Sequence, residues 1–143
     1  MIKEVTVRPI SWKGYDLMIQ RIVKQLEQSK HNIGCILALG RGGFVPGAQL
    51  SHELGIPLEP LMWQTRDGKA RQPFTSTTRT LIVDDINDSG QTLNGVTSAC
   101  EFPHGYLTAV LVNKTSSSFK NVDFYAEVGD DNVWYAFPWE KSI

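Results

Sequence analysis

Cysteine is scarce in this chain: Cys35 and Cys100 are the two among 143 residues, each in an apolar segment and outside any CxxC spacing. A small scaffold stapled by disulfides is thereby excluded, two buried, reduced thiols are expected, and neither thiol is placed as a nucleophile. Histidine is equally sparse, and His31, His52 and His104 lie too far apart to form a histidine metal site. The chain has no excess of either charge, with 14 basic residues against 15 acidic ones and a pI near 6.3. A protein whose main partner is a nucleic acid usually carries a basic excess to neutralise phosphates, so no nucleic-acid partner is expected. Long apolar runs are missing too, both of membrane-span length and of the kind that opens a signal peptide, so a cytoplasmic protein without a membrane partner is expected. There is no repeat, low-complexity stretch or Pro/Gly-rich linker, and the length suits one domain over residues 1–143. What remains is 41% hydrophobic and 20% charged, a composition that can bury a core and is not that of a disordered chain.

Strand and helix patterns alternate, which predicts an α/β fold with a mostly parallel central sheet flanked by helices. Ser11 is placed to cap a helix over about 14–28, where Tyr15, Met18, Ile19, Ile22, Val23 and Leu26 recur at helical spacing. A strand follows over 33–39, then a glycine-rich turn, Gly40-Arg41-Gly42-Gly43, and a helix from about Pro46 to just before Gly55. Residues 57–63 are a weaker strand, and 65–78 read as a polar loop long enough to be functional. A short strand over 80–83 is expected to stop at Asp84-Asp85, followed by a helix over about 90–100. Strands over 106–113 and 122–128 come next, and an aromatic-rich, irregular segment occupies 132–143.

Chemistry is concentrated in Val83-Asp84-Asp85-Ile86-Asn87-Asp88-Ser89-Gly90-Gln91-Thr92. Three carboxylates, two hydroxyls and a glycine follow a buried strand, at the sheet edge where open α/β folds bind ligands. Ser89, Gly90 and Thr92 at a helix start offer N–H groups, hydroxyls and a positive dipole end, a combination suited to phosphate. Asp84 and Asp85 suit ribose hydroxyls or a hard cation such as Mg²⁺. The bland alternative, an acidic turn with a capping serine, explains the pieces one at a time but not their combination. Arg41 between glycines has the form of an anion-binding loop, since glycine permits close backbone approach and arginine presents a fixed fork of donors.

The Asp84–Thr92 segment resembles the 5-phosphoribosyl pyrophosphate (PRPP) motif of type I phosphoribosyltransferases. Leu39-Gly40-Arg41-Gly42-Gly43-Phe44-Val45-Pro46-Gly47 is similar to that family's pyrophosphate loop. Lys114, Trp134-Tyr135 and Pro138-Trp139-Glu140 are similar in position to the purine-site lysine and aromatic hood of the xanthine-guanine enzymes. The resemblance spans about 33–140 and implies the type I fold with a small hood formed by about 131–143. It also implies transfer of phosphoribose from Mg-PRPP to a 6-oxopurine (guanine, xanthine or hypoxanthine) in purine salvage. In that reading Asp88, Ser89, Gly90, Gln91 and Thr92 hold the 5′-phosphate, Asp84 and Asp85 the ribose, with Asp85 on Mg²⁺, and Arg41, Gly42 and Arg71 the pyrophosphate. Lys114, Trp134 and Tyr135 bind the base, Asp88 is the acid/base, and a homo-oligomer, dimer or tetramer, is implied. The sequence departs from the family pattern at Ser89, where threonine is commoner, at Gln91, and at Trp63–Asp67 before the motif. A PRPP-binding regulatory module and a transferase for another base are the rival readings.

Overall fold

The computed structural model describes residues 4–64, 69–70 and 74–140. Its centre is a five-stranded, fully parallel sheet in the order β3-β2-β6-β7-β8, formed by Leu58–Leu61, Cys35–Leu39, Thr80–Asn87, Tyr106–Lys114 and Phe124–Gly129. Helices α1 (Trp12–Ser29) and α2 (Gly40–Leu54) serve one hydrophobic layer and α3 (Gln91–Ala99) the other. The central strands therefore have no polar face. Leu81, Val83, Ala109 and Leu111 point into the layer under α1, while Ile82 and Val110 point into the layer under α3. Apolar residues on both sides are the sequence mark of a buried parallel sheet.

Helix α1 matches its expected span, and the Gly14 amide donates to the Ser11 side chain at 3.0 Å as an N-cap bond. Gly14 costs the helix about 1 kcal/mol in chain entropy. The six buried apolar side chains on its inner face each contribute about 1.5–3 kcal/mol and outweigh that cost. Cys35 and Cys100 are buried and free, as expected.

Four local expectations are corrected. Helix α2 begins at Gly40, not near Pro46: the glycine-rich turn is its first turn, and Pro46 lies inside it. Gly43 shows why glycine is required there, because a Cβ would stand 2.5 Å from the Val83 carbonyl oxygen where α2 lies on β6. Strand β6 does not stop at Asp84-Asp85 but runs to Asn87, carried by its pairing with β7. Residues 132–143 are not wholly irregular, since β9 (Val133–Ala136) pairs in parallel with β1 (Thr6–Pro9), a strand that the sequence pattern did not suggest. Within the polar loop, Lys69–Ala70 (β5) pairs with Trp63–Gln64 (β4), while Arg71 lies outside the described residues. Among the described residues no helix is long and apolar enough to cross a membrane.

Candidate active site

The chain crosses from one side of the sheet to the other between β2 and β6, and ligands of open α/β sheets bind at such a switch point. Strand β2 pairs with β6 only as far as Ala38 opposite Val83, so Asp84–Asn87 extend beyond it beside the start of α2. That overhang places both predicted carboxylates at the carboxyl end of the sheet. The Asp85 amide donates to Asp84 Oδ1 and the Ile86 amide to Asp85 Oδ1, each at 2.8 Å, which fixes the two side chains. Gly42, in the first turn of α2, lies so close that a Cβ there would stand 2.7 Å from the Asp85 carboxylate. Arg41 projects from the same turn and is exposed.

Burial pushes the Asp84 carboxyl well above the usual carboxylate range, and the neighbouring Asp85 charge pushes it further. Asp85 is raised by burial as well, against the hydrogen bonds that favour its charge. The Glu140 carboxyl is raised first by burial and then by the Asp85 charge. Among the described residues neither Asp84 nor Asp85 has an ion-pair partner. Oxygen donors held close together without a counter-ion suit a hard divalent cation. Among the described residues no three metal-ligating side chains form a cage, so most of such an ion's shell would come from ligand and water oxygens.

Beyond the carboxylates, Ser89 and Gly90 turn the chain into α3. Gly90 has φ +92°, a conformation that glycine adopts without strain. The Gln91 amide donates to Ser89 Oγ at 3.3 Å. Asp84, Asp85, Asp88, Ser89, Gly90 and Thr92 line one recess of about 170 Å³. A second recess, of about 160 Å³, shares Asp85 and Asp88 with the first and is walled by Lys114, Trp134, Tyr135 and Glu140. Lys114 ends β7, is 7% exposed, and its Nζ meets Asp88 Oδ1 at 3.0 Å. Trp134 is 48% exposed at the rim. The Tyr135 phenol is turned away, its oxygen accepting from the Asp130 amide at 2.9 Å, so the backbone of Tyr135 is what remains to serve the recess. Two larger hollows, one by Arg8 and Arg21 and one by Tyr106 and Lys120, contain none of the predicted site residues.

The predicted residues thus gather in two adjoining recesses. Arg41, Gly42 and Gln91 stand beside them without lining either, and Arg71 falls outside the described residues. Sequence reasoning missed Ile86, Val133 and Phe137 as wall residues. It also missed a buried amide network around Asn87, whose only sequence signal is a polar residue two places beyond the acidic pair.

The family model described as the phosphoribosyl transferase domain matches residues 11–142. The chain belongs to that family. Its fold is the type I phosphoribosyltransferase fold, with the purine phosphoribosyltransferase of Pyrococcus horikoshii similar at 28% identity, 96% coverage of each chain and a TM-score of 0.79. The xanthine-guanine-hypoxanthine phosphoribosyltransferase of Helicobacter pylori is similar in fold at 20% identity, 92% coverage of each chain and a TM-score of 0.75. A Neisseria gonorrhoeae hypothetical protein with bound ppGpp shares the fold at 17% identity, with a TM-score of 0.71 over 99% of this chain and 92% of that one. One recess is thus lined by three carboxylates and the Ser89–Gly90 turn, and the other has an aromatic rim.

Proposed function

We propose that this phosphoribosyltransferase family member transfers phosphoribose from Mg-PRPP to a 6-oxopurine, giving the nucleoside monophosphate and pyrophosphate in purine salvage. The observation that carries this reading is Lys114, a buried lysine whose Nζ stands beside Asp88 in a recess rimmed by Trp134, next to the recess that holds Asp84, Asp85 and the Ser89–Gly90 turn. A buried ammonium aimed into an aromatic-edged recess suits a carbonyl such as the purine 6-oxo group. Adenine, with an amino group in that place, would meet donor with donor.

Position and the family resemblance together support the following roles. Ser89, Thr92 and the amides of 88–92 receive the 5′-phosphate, with Gln91 in the first turn of α3. Asp84 and Asp85 would hold the ribose hydroxyls directly or through Mg²⁺, with Asp85 the residue that would ligate it. When bound, Mg²⁺ supplies positive charge against the departing pyrophosphate. Arg41, with Gly42 allowing close approach, and Arg71 from the polar loop bind pyrophosphate oxygens. Trp134 covers the base face, and the backbone of Tyr135 reads its edge. Asp88 accepts the N7 proton as N9 forms its bond to C1′, and the C1′–O bond breaks with its electron pair leaving on pyrophosphate. The positive charge that develops on the ribose lies close to Asp84 and Asp85. One catalytic domain over residues 1–143, a homo-oligomeric assembly and a cytoplasmic setting belong to the same proposal.

A pyrophosphate-release assay with Mg-PRPP and guanine, xanthine, hypoxanthine, adenine, uracil or orotate tests the reading. Release that depends on a 6-oxopurine is expected. Release only with another base overturns the base assignment. Tight PRPP binding without turnover on any base would indicate a sensor, and no PRPP binding would defeat both readings.

A further inference from the structure

We infer that Ser118 is a positioning residue for the phosphate cradle, holding the Ser89–Gly90 peptide in the orientation that binds phosphate; this rests on the cradle reading proposed above. The Ser89 carbonyl accepts two hydrogen bonds from one residue, from the Ser118 amide at 2.9 Å and from Ser118 Oγ at 2.8 Å. In a trans peptide the C=O and the following N–H point in opposite directions. Anchoring the Ser89 oxygen on Ser118 therefore turns the Gly90 N–H away from the 117–119 loop. The space that a Gly90 Cβ would occupy is already filled by Phe119 N at 2.5 Å and Ser118 Oγ at 2.5 Å, so this loop covers that side of Gly90. Released from Ser118, the peptide could rotate about the flexible glycine and present a carbonyl oxygen to an anion.

The anchor is itself built in. Asn94 Nδ2 donates to Ser118 Oγ at 2.9 Å, which leaves the hydroxyl proton for Ser89. Beneath it, Asn87 is 2% exposed and fully engaged. Its Nδ2 donates to Asn113 Oδ1 at 2.9 Å and to the Phe119 carbonyl at 3.0 Å, and its Oδ1 accepts from Ser117 Oγ at 2.7 Å. Ser117, 1% exposed, also accepts from the Phe119 amide at 3.1 Å. These bonds tie the 117–119 loop to the carboxyl end of β6, so Ser118 has a rigid base from which to hold Ser89. A buried network in which each group is satisfied fixes one conformation.

Binding of ribose 5-phosphate and of inorganic pyrophosphate by calorimetry separates positioning from general support. Ser118→Ala is expected to weaken ribose 5-phosphate about five- to tenfold, the loss expected for one net hydrogen bond. Pyrophosphate, proposed to bind near Arg41, should keep its affinity, and Ser118→Thr should restore the sugar phosphate. Ser116→Ala is the control from the same loop, because the Ser116 hydroxyl bonds Asp131 and not the cradle. Unchanged ribose 5-phosphate affinity in Ser118→Ala overturns the inference. An equal loss for both ligands with a lowered melting point also overturns it, since that is a structural role. Failure of the unsubstituted protein to bind ribose 5-phosphate would instead remove the cradle reading beneath it.

Discussion

Asp88 and Lys114 form an ion pair of very unequal burial, with side chains 60% and 8% exposed. Such a pair is screened at one end and dry at the other, so its net contribution to stability is small. It holds a donor and an acceptor side by side, which on the proposed reading is where a base would interrupt them. Asp88→Ala is expected to cut turnover far more than it weakens Mg-PRPP, whereas Ser89→Ala and Thr92→Ala should weaken Mg-PRPP more. Single-turnover rates set beside PRPP dissociation constants check this, and near-normal turnover in Asp88→Ala would remove its acid/base role. Trp134→Ala should cost about 1–3 kcal/mol of base affinity, the range for base–aromatic stacking. Because Trp134 is 48% exposed, its melting temperature should hardly move. An unchanged base dissociation constant together with a fall in melting temperature would make Trp134 a packing residue.

At the scale of elements, the start of α2 has two tight contacts: Gly43 on the Val83 carbonyl and Gly42 on the Asp85 carboxylate. Gly43→Ala should destabilise by about 1–3 kcal/mol through overpacking against backbone, seen as a lower denaturant midpoint. Gly42→Ala would instead displace the Asp85 carboxylate, so Mg-PRPP affinity should suffer more than stability. These contacts also show what was legible in the sequence. The apolar period of α1 and the runs of β2 and β7 are local signals, and the structure bears them out. The start of α2 is not legible locally, because Gly-Arg-Gly-Gly has poor helix propensity and packing on β6 overrides it. The end of β6 is not legible either, because two aspartates look like a strand terminus, whereas pairing with β7 carries the strand to Asn87. β1 escaped notice because four exposed residues paired with a segment far along the chain leave no periodic trace. For the site, residue types and order were visible, but which backbone group holds Ser89 depends on a loop nearly thirty residues away.

For the whole molecule, the crowded carboxylates make stability depend on pH in a definite direction. Folded Asp84 and Asp85 have raised pKa values, so the folded chain binds more protons than the unfolded one above the ordinary carboxylate value of about 4. Their contribution to ligand-free stability is thus greatest below that value and declines as pH rises through the folded values. Asp84→Asn should raise the denaturant midpoint of the ligand-free protein at pH 7, with a smaller gain near pH 4, while weakening Mg-PRPP. A lower midpoint at pH 7 would contradict the charge argument. The pairing of β1 with β9 has a further consequence, for the order in which the molecule comes apart. The wall that carries Trp134 and Tyr135 joins residues 6–9 to residues 133–136, so nearly the whole chain must be in place before it can form. The five-stranded sheet, with its own two hydrophobic layers, has no such requirement. Amide protons of β1 and β9 should therefore exchange earliest among the strands, and mild denaturant should release a bound base while a bound sugar phosphate is still held. If Trp134 and Tyr135 bind the base as proposed, base recognition should be the last function the folding chain acquires and the first it loses.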